Sequence, residues 1–181
     1  MGLPIPQLLI VGLGNLPLPL TRHSVGHFIV DSLASRLGIK LSSQKGGYIG
    51  HGETHVGETL VALTLFKSKS LMNISGPSVA AAYRNTSRDP KSLIVISDSV
   101  QHIPTKLAVR LGGSANGHNG IKSIISALGG EQNFWRFRAG VGNVLDARRV
   151  GPCHYRDRRS GEEDQLTGER LNRIWVPLLS S

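Results

Sequence analysis

The chain has 181 residues, enough for one domain, and it is 39% hydrophobic and 18% charged with 22 glycines, which excludes both a disordered chain and a collagen. A single cysteine, Cys153, excludes a disulfide framework and a cysteine-built zinc site, and no apolar run approaches the roughly 20 residues that span a bilayer. Lys+Arg 21 against Asp+Glu 12 gives a net charge of +9, the balance of a protein that meets nucleic acid or another polyanion.

Gln7 to Val11 is a short continuous apolar run ending in Gly-Leu-Gly-Asn, which predicts a buried strand feeding a tight turn. Val25, Phe28, Ile29, Leu33 and Leu37 recur at helical spacing, and Gly38 supplies the stop. Gly47 to His55 and Thr59 to Leu65 read as two strands joined near Val56-Gly57-Glu58. Ser78 to Tyr83 predicts the body of a helix entered from Ser75-Gly76-Pro77, since proline is tolerated in a first turn. Leu93 to Ser97 is another buried-strand run, and Lys106 to Leu111 a shorter alternating one. Asn119 to Leu128 predicts a helix with Ile121, Ile124, Ile125 and Leu128 on one face. Phe134 to Val141 alternates as a strand, with Phe134, Arg136 and Arg138 on a charged side and Trp135, Phe137 and Ala139 on the other. Strands and helices alternate, so residues 1–142 read as one α/β domain, a mixed twisted sheet with helices on both faces in three layers.

Residues 143–181 differ in texture. The first 142 residues hold 14 cations and 6 acids, whereas the last 39 hold 7 and 6, so the basic excess belongs to the predicted domain. The tail has a mixed-charge stretch without period, the mark of loop or disorder, and Gln165 to Leu179 has roughly helical spacing weakened by Gly168 and Pro177.

Gly12-Leu13-Gly14 after a strand invites a dinucleotide-binding reading. That fingerprint needs a third glycine opening a helix, and here Leu16-Pro17-Leu18-Pro19 stands in its way. Neither a serine elbow nor a phosphate-cradling P-loop is present. His23 and His27 are four apart, as are His51 and His55, but neither pair carries the glutamate of the helical zinc motif.

Three segments place Asn or His beside glycines where a regular element begins or ends, the usual place of a site in an α/β sheet. The first is Gly12 to Asn15 with Thr21-Arg22-His23-Ser24-Val25-Gly26. The second is Leu71-Met72-Asn73-Ile74-Ser75-Gly76. The third is Leu111 to Ser123, which contains His118-Asn119-Gly120. Each polar residue also has an ordinary role available as a helix cap or turn residue.

Taken together, and with Leu93 to Asp98 as a strand ending in an acid, these segments resemble the signature regions of the bacterial-type peptidyl-tRNA hydrolase family. The likeness runs from Leu8 to Gly142, and the short interval between Asn15 and His23, with Ser24 after the histidine, is similar to the eukaryotic branch. The resemblance implies hydrolysis of the ester between a peptide and the 3′ ribose of tRNA, by activated water, with no metal and no cofactor. It implies that His23 is the general base and that Asp98 accepts its other ring N–H. Asn15, Asn73, Asn119, Met72 and His118 are then substrate-binding, with Asn119 helping to position the water or the 3′ end. It also implies that Arg110 and Arg138 hold a tRNA phosphate, with Lys106 and Lys122 nearby. The partner is the acceptor end of peptidyl-tRNA, without membrane association. The expected protein is monomeric and cytoplasmic, or mitochondrial if a leader precedes it.

The chain departs from the family pattern at several places. Leu16-Pro17 stands where the family has Pro-Gly, and no Tyr precedes Thr21-Arg22-His23. Ser99-Val100-Gln101 replaces the acidic residues that commonly follow the strand's aspartate, and the tail matches neither lid nor closing helix. A second reading follows from these departures, a non-catalytic RNA-binding relative of the kind that acts in plastid intron splicing.

Overall fold

The computed structural model describes residues 5–19, 21–104 and 106–142. The tail beyond residue 142, including the spacing noted at Gln165–Leu179, lies outside them.

Seven strands and three helices make up the described chain. The strands are β1 (Gln7–Gly12), β2 (Ser42–Ser43), β3 (Gly47–Val56), β4 (Thr59–Ser68), β5 (Leu93–Ser99), β6 (Leu107–Leu111) and β7 (Trp135–Gly140). The helices are α1 (Val25–Arg36), α2 (Gly76–Thr86) and α3 (Asn119–Ala127). One mixed sheet runs in the order β2-β3-β4-β1-β5-β7-β6. Its centre, β4-β1-β5-β7, is parallel, and antiparallel neighbours flank it on both sides.

Central parallel strands are covered on both faces and therefore read as unbroken apolar runs rather than alternating ones. Leu9, Ile10 and Val11 of β1 fit that rule, as do Leu93 to Ile96 of β5, all of them buried. The alternation along β1 and β5 divides the core in two. Leu8, Ile10, Ile94 and Ile96 pack with Val30 and Ala34 of α1. Leu9, Val11, Leu93 and Val95 pack on the other side with Val79 and Ala82 of α2 and with Ile121 and Ile124 of α3. The expected three layers are present.

The element boundaries differ from expectation where tertiary pairing adds residues. β4 runs on to Ser68 because every residue from Thr59 pairs with β3, ending at Gly47 opposite Ser68. β2 is two serines with no apolar signal and exists only through its pairing with Tyr48 and Ile49. α2 begins at Gly76, with Pro77 in the first turn.

The start of α1 is pressed onto the ends of β1 and β5. A Cβ on Gly26 would lie 2.5 Å from the carbonyl oxygens of both Ile96 and Leu13, so only glycine allows this approach. Here the His23/His27 pair separates. His27 is 5% exposed and packs beneath Gly14, where an added Cβ would come 2.7 Å from its ring. Burial, then the nearby Lys67 ammonium, lowers its pKa from 6.5 to about 4, with Asp31 opposing. Lys67 and Asp31 pair with each other at 2.5 Å.

A neutral buried imidazole stabilises the fold only while the unfolded chain also leaves it neutral. That stability is complete above about pH 6.5 and is lost as the pH falls toward about 4, for a total of about 3 kcal/mol. The expected result is a melting temperature that drops steeply between pH 6.5 and 4.5 in the natural chain and less steeply in His27→Leu. Parallel curves would refute the assignment.

Candidate active site

The loops at the carboxyl ends of β1 and β5 meet the start of α1 and the loop before α3, the place where open α/β sheets bind ligands. Asp98, one residue from the end of β5, is 5% exposed and is the centre of the cluster. Its Oδ2 lies 2.8 Å from Nδ1 of His23, and its Oδ1 lies 3.0 Å from Nε2 of His118. The two histidines come from sites 75 and 20 residues away in the chain.

The tautomers follow from the partners. The backbone N–H of Ile121 donates to Nδ1 of His118 at 3.2 Å, capping α3, so the His118 proton sits on Nε2 and is donated to Asp98. The second carboxylate oxygen accepts from Nδ1 of His23, which leaves the lone pair on Nε2 of His23 without a hydrogen-bond partner among the described residues. The His23 side chain is 56% exposed. Burial raises the Asp98 carboxyl, but the hydrogen bonds and charges of His118 and then His23 outweigh it and hold the pKa below the ordinary carboxylate value. Asp98 is therefore ionised at neutral pH. A buried anion holds Nδ1 of a His23 side chain that is itself more than half exposed, the arrangement of a positioned general base.

Asn15 lies in the turn between β1 and the segment that carries His23. Its Oδ1 accepts from the backbone N–H of Met72 at 2.8 Å, which orients the amide so that its NH2 is left to donate. Ser24 occupies the core of this turn, donating to the carbonyls of Leu18 at 2.8 Å and Asn15 at 3.2 Å and accepting from Asn15 N–H at 3.1 Å. The serine that marks the likeness to the eukaryotic branch thus ties the Asn15 turn to the start of α1. Met72 and Asn73 sit in a single 3-10 turn before α2, Met72 half-buried and Asn73 exposed. Met72 leans on Gly120, where a Cβ would come 2.7 Å from its Cγ. Asn119 is exposed at the first residue of α3.

The cations fall into a second group on β6 and β7. Arg110 pairs in register with Arg136, and Ala108 with Arg138, so the three arginines share one side of the sheet. Lys106 is exposed just before β6 and Lys122 is exposed on α3. The sequence reading of a charged strand face needs one refinement. Arg136 is 4% exposed, because its guanidinium turns inward to donate to the carbonyls of Gly112 and, at 2.6 Å, of Ser114. Burial and the neighbouring Arg110 and Arg138 lower its pKa from the ordinary guanidinium value. It fastens the loop of Gly112, Gly113, Asn116 and Gly117, all at positive φ, that delivers His118 to Asp98.

Nothing local in the sequence distinguishes Arg136 from the less buried Arg110 and Arg138. Replacing it by Met leaves two inward carbonyls unpaired, a loss of about 2–4 kcal/mol that lowers the melting temperature by roughly 10 °C. A shift under about 2 °C would remove Arg136 from this role.

A sequence model of the family described as peptidyl-tRNA hydrolase matches residues 9–156, most of the chain. The chain belongs to the peptidyl-tRNA hydrolase family. The peptidyl-tRNA hydrolase of Bordetella parapertussis is 40% identical over 143 residues, covering 76% of this chain and 64% of that protein. The Bacillus anthracis member is 39% identical over 145 residues, 78% of this chain and 75% of its own length. The crystal structure of the Acinetobacter baumannii peptidyl-tRNA hydrolase superposes with a TM-score of 0.70 at 28% identity, covering 83% of this chain and 79% of that one. A crystal structure of a mutant of the Acinetobacter enzyme gives 0.69 at 31% identity, over 78% and 72%. The family and the α/β fold agree with the sequence reading. The relatives bear on the family; the geometry above bears on which atoms would act.

Proposed function

We propose that this chain hydrolyses the ester between the C-terminal carbonyl of a peptide and the 3′ ribose of tRNA, using water activated by His23 and Asp98. The observation that carries this reading is the 2.8 Å bond from His23 Nδ1 to a buried, ionised carboxylate, on a side chain more than half exposed whose Nε2 has no hydrogen-bond partner among the described residues. An ester has a good leaving group, so a single base-activated water suffices. His23 Nε2 takes the water proton as the hydroxide adds to the carbonyl carbon, and Asp98 stabilises the imidazolium that forms. The same proton then passes to the departing 3′ oxygen.

Asn15, its amide oriented by Met72, donates to the peptide or ester carbonyl, and Asn73 stands on the next turn to hold the peptide. Asn119 donates to negative charge developing in the transition state or positions the 3′ end. Exposed Leu18, Leu71 and Ile74 flank these amides and supply an apolar rim for peptide side chains. His118 acts through Asp98, fixing the carboxylate and leaving its second oxygen for His23. No step of the proposal uses a metal or cofactor.

Arg110, Arg138 and Lys106 on the β6–β7 side receive tRNA phosphates, with Lys122 an outlying contact on α3. Guanidinium groups suit bidentate phosphate contact. All proposed site residues come from one chain, so a monomer suffices. Peptidyl-tRNA is met where translation runs, which fits a cytoplasmic protein or, with a leader, a mitochondrial one. Among the described residues no helix is long and apolar enough to cross a membrane.

The decisive experiment incubates purified protein with N-acetyl-aminoacyl-tRNA and follows release of the acyl group. Release supports the proposal, whereas tRNA binding without ester cleavage would select the RNA-binding reading instead. For the tRNA half, log K for deacylated tRNA should fall by about 0.7–0.9 per neutralised phosphate against log salt. Affinity that stays flat from low to moderate salt would contradict the phosphate contacts.

A further inference from the structure

The turn after Asp98 carries a hydroxyl–imidazole pair that the reaction above does not use. Ser99, the last residue of β5, is 9% exposed, and its Oγ lies 2.6 Å from Nδ1 of His102. Side chains alternate along a strand, so Ser99 faces away from the side of Asp98. The register of β5 with β7 sets Ser97 against Arg138 and Ser99 against Gly140, which puts Ser99 on the side of the arginines.

The backbone around the pair is fastened to β7 and the residues after it. The Ser99 carbonyl accepts from Val141 N–H at 3.0 Å, and the His102 carbonyl accepts from Gly142 N–H at 3.0 Å. A Cβ on Gly140 would come 3.0 Å from Cβ of His102, so the turn is seated directly on the strand. Its charged neighbours are Arg138 from β7 and Lys106 from the segment entering β6. Neither has a carboxylate partner among the described residues.

We infer that His102, oriented by Ser99, is a phosphate-contacting group of the tRNA-binding side and works with Arg138 and Lys106. The inference rests on the tRNA reading above. With the Ser99 hydroxyl donating to Nδ1, the ring proton of neutral His102 sits on Nε2 as a directed N–H donor. In the free protein, partial burial and then the charges of Arg138 and Lys106 lower the His102 pKa from its ordinary value. A phosphate bound among the three groups offsets that field and pairs directly with the ring, which favours uptake of a proton by the imidazole as the tRNA binds. A nucleophilic serine is the poorer reading of the same pair. Both Asp98 oxygens are committed to other histidines on the opposite side of the strand, and the adjacent cations disfavour an imidazolium without an anion.

The test is calorimetric titration of deacylated tRNA into the whole protein at pH 7, in two buffers of different ionisation heat, to count protons. His102→Gln should bind about ten- to a hundredfold more weakly than the natural chain, the loss of one charge-assisted hydrogen bond. It should also take up fewer protons on binding than the natural chain. Ser99→Ala, which keeps the imidazole but frees it to rotate, should retain the proton uptake and lose about two- to threefold in affinity. Arg138→Ala serves as the reference for the cationic side. Weakened binding by Arg138→Ala, with affinity and proton count unchanged in His102→Gln, overturns the role of His102 alone. Unchanged binding in both overturns the phosphate reading beneath it.

Discussion

His23→Ala should cut turnover of peptidyl-tRNA at least roughly a hundredfold while leaving the fold intact, because a positioned general base contributes about 10²–10⁴ in rate. The two halves of that expectation have separate physical grounds. The side chain is 56% exposed and its hydrogen bond is to Asp98, which keeps His118 as a partner, so little packing is lost. The chemistry loses its proton acceptor outright, since the other imidazole of the cluster has both nitrogens occupied by Asp98 and by the Ile121 N–H. Single-turnover cleavage and a melting curve on the same preparation test both halves. Added imidazole should restore part of the rate by entering the space the ring vacates. Undiminished turnover in a folded variant would remove His23 from the mechanism.

The second large effect concerns Asp98→Asn, and it comes from tautomers rather than from charge alone. An amide has one accepting oxygen and one donating nitrogen, whereas both histidines now donate to the carboxylate. His118 cannot adapt without giving up its cap on the Ile121 N–H, so the new carbonyl oxygen should turn to His118. The amide NH2 then meets Nδ1 of His23 and forces the proton of that ring onto Nε2, the atom that must accept from water. Turnover should fall by about 10²–10⁴-fold with binding of deacylated tRNA nearly unchanged. Nitrogen-resolved NMR of the His23 ring should report the switch to the Nε2–H form. A variant that keeps more than about a tenth of the natural rate would show that Asp98 does not set the base.

The same bonds carry a stability consequence. The Asp98 pKa is lowered in the folded state, so its contribution is complete above the ordinary carboxylate range and lost as the pH falls through the lowered value. That window lies below the one in which His27 acts, and the two separate in a melting series against pH.

Much of this was legible along the chain. The apolar runs at Gln7 to Val11 and Leu93 to Ser97 and the helical face of Ile121 and Ile124 declare their elements through local period alone. The basic excess of the first 142 residues and the order of the Asn15, His23, Asn73, Asp98 and Asn119 segments pointed to the family. These signals are readable because each is a property of neighbours in sequence.

Other features exist only through pairing between distant residues. β2 has no strand pattern of its own and forms against Tyr48 and Ile49. Two histidines four residues apart, equivalent in the sequence, become a solvent-facing base candidate and a buried neutral ring, because Gly26 brings the start of α1 against β1 and β5. Arg136 and Arg138 alternate on the same strand face, yet Arg136 is turned into the Gly112 and Ser114 carbonyls. The chain order alone determined the main strands and helices and the family they belong to, since propensity and period act over a few residues. The tertiary structure decided the protonation states, because a tautomer is set by what each nitrogen touches. For His23 and His118 those contacts lie 75 and 20 residues away at Asp98.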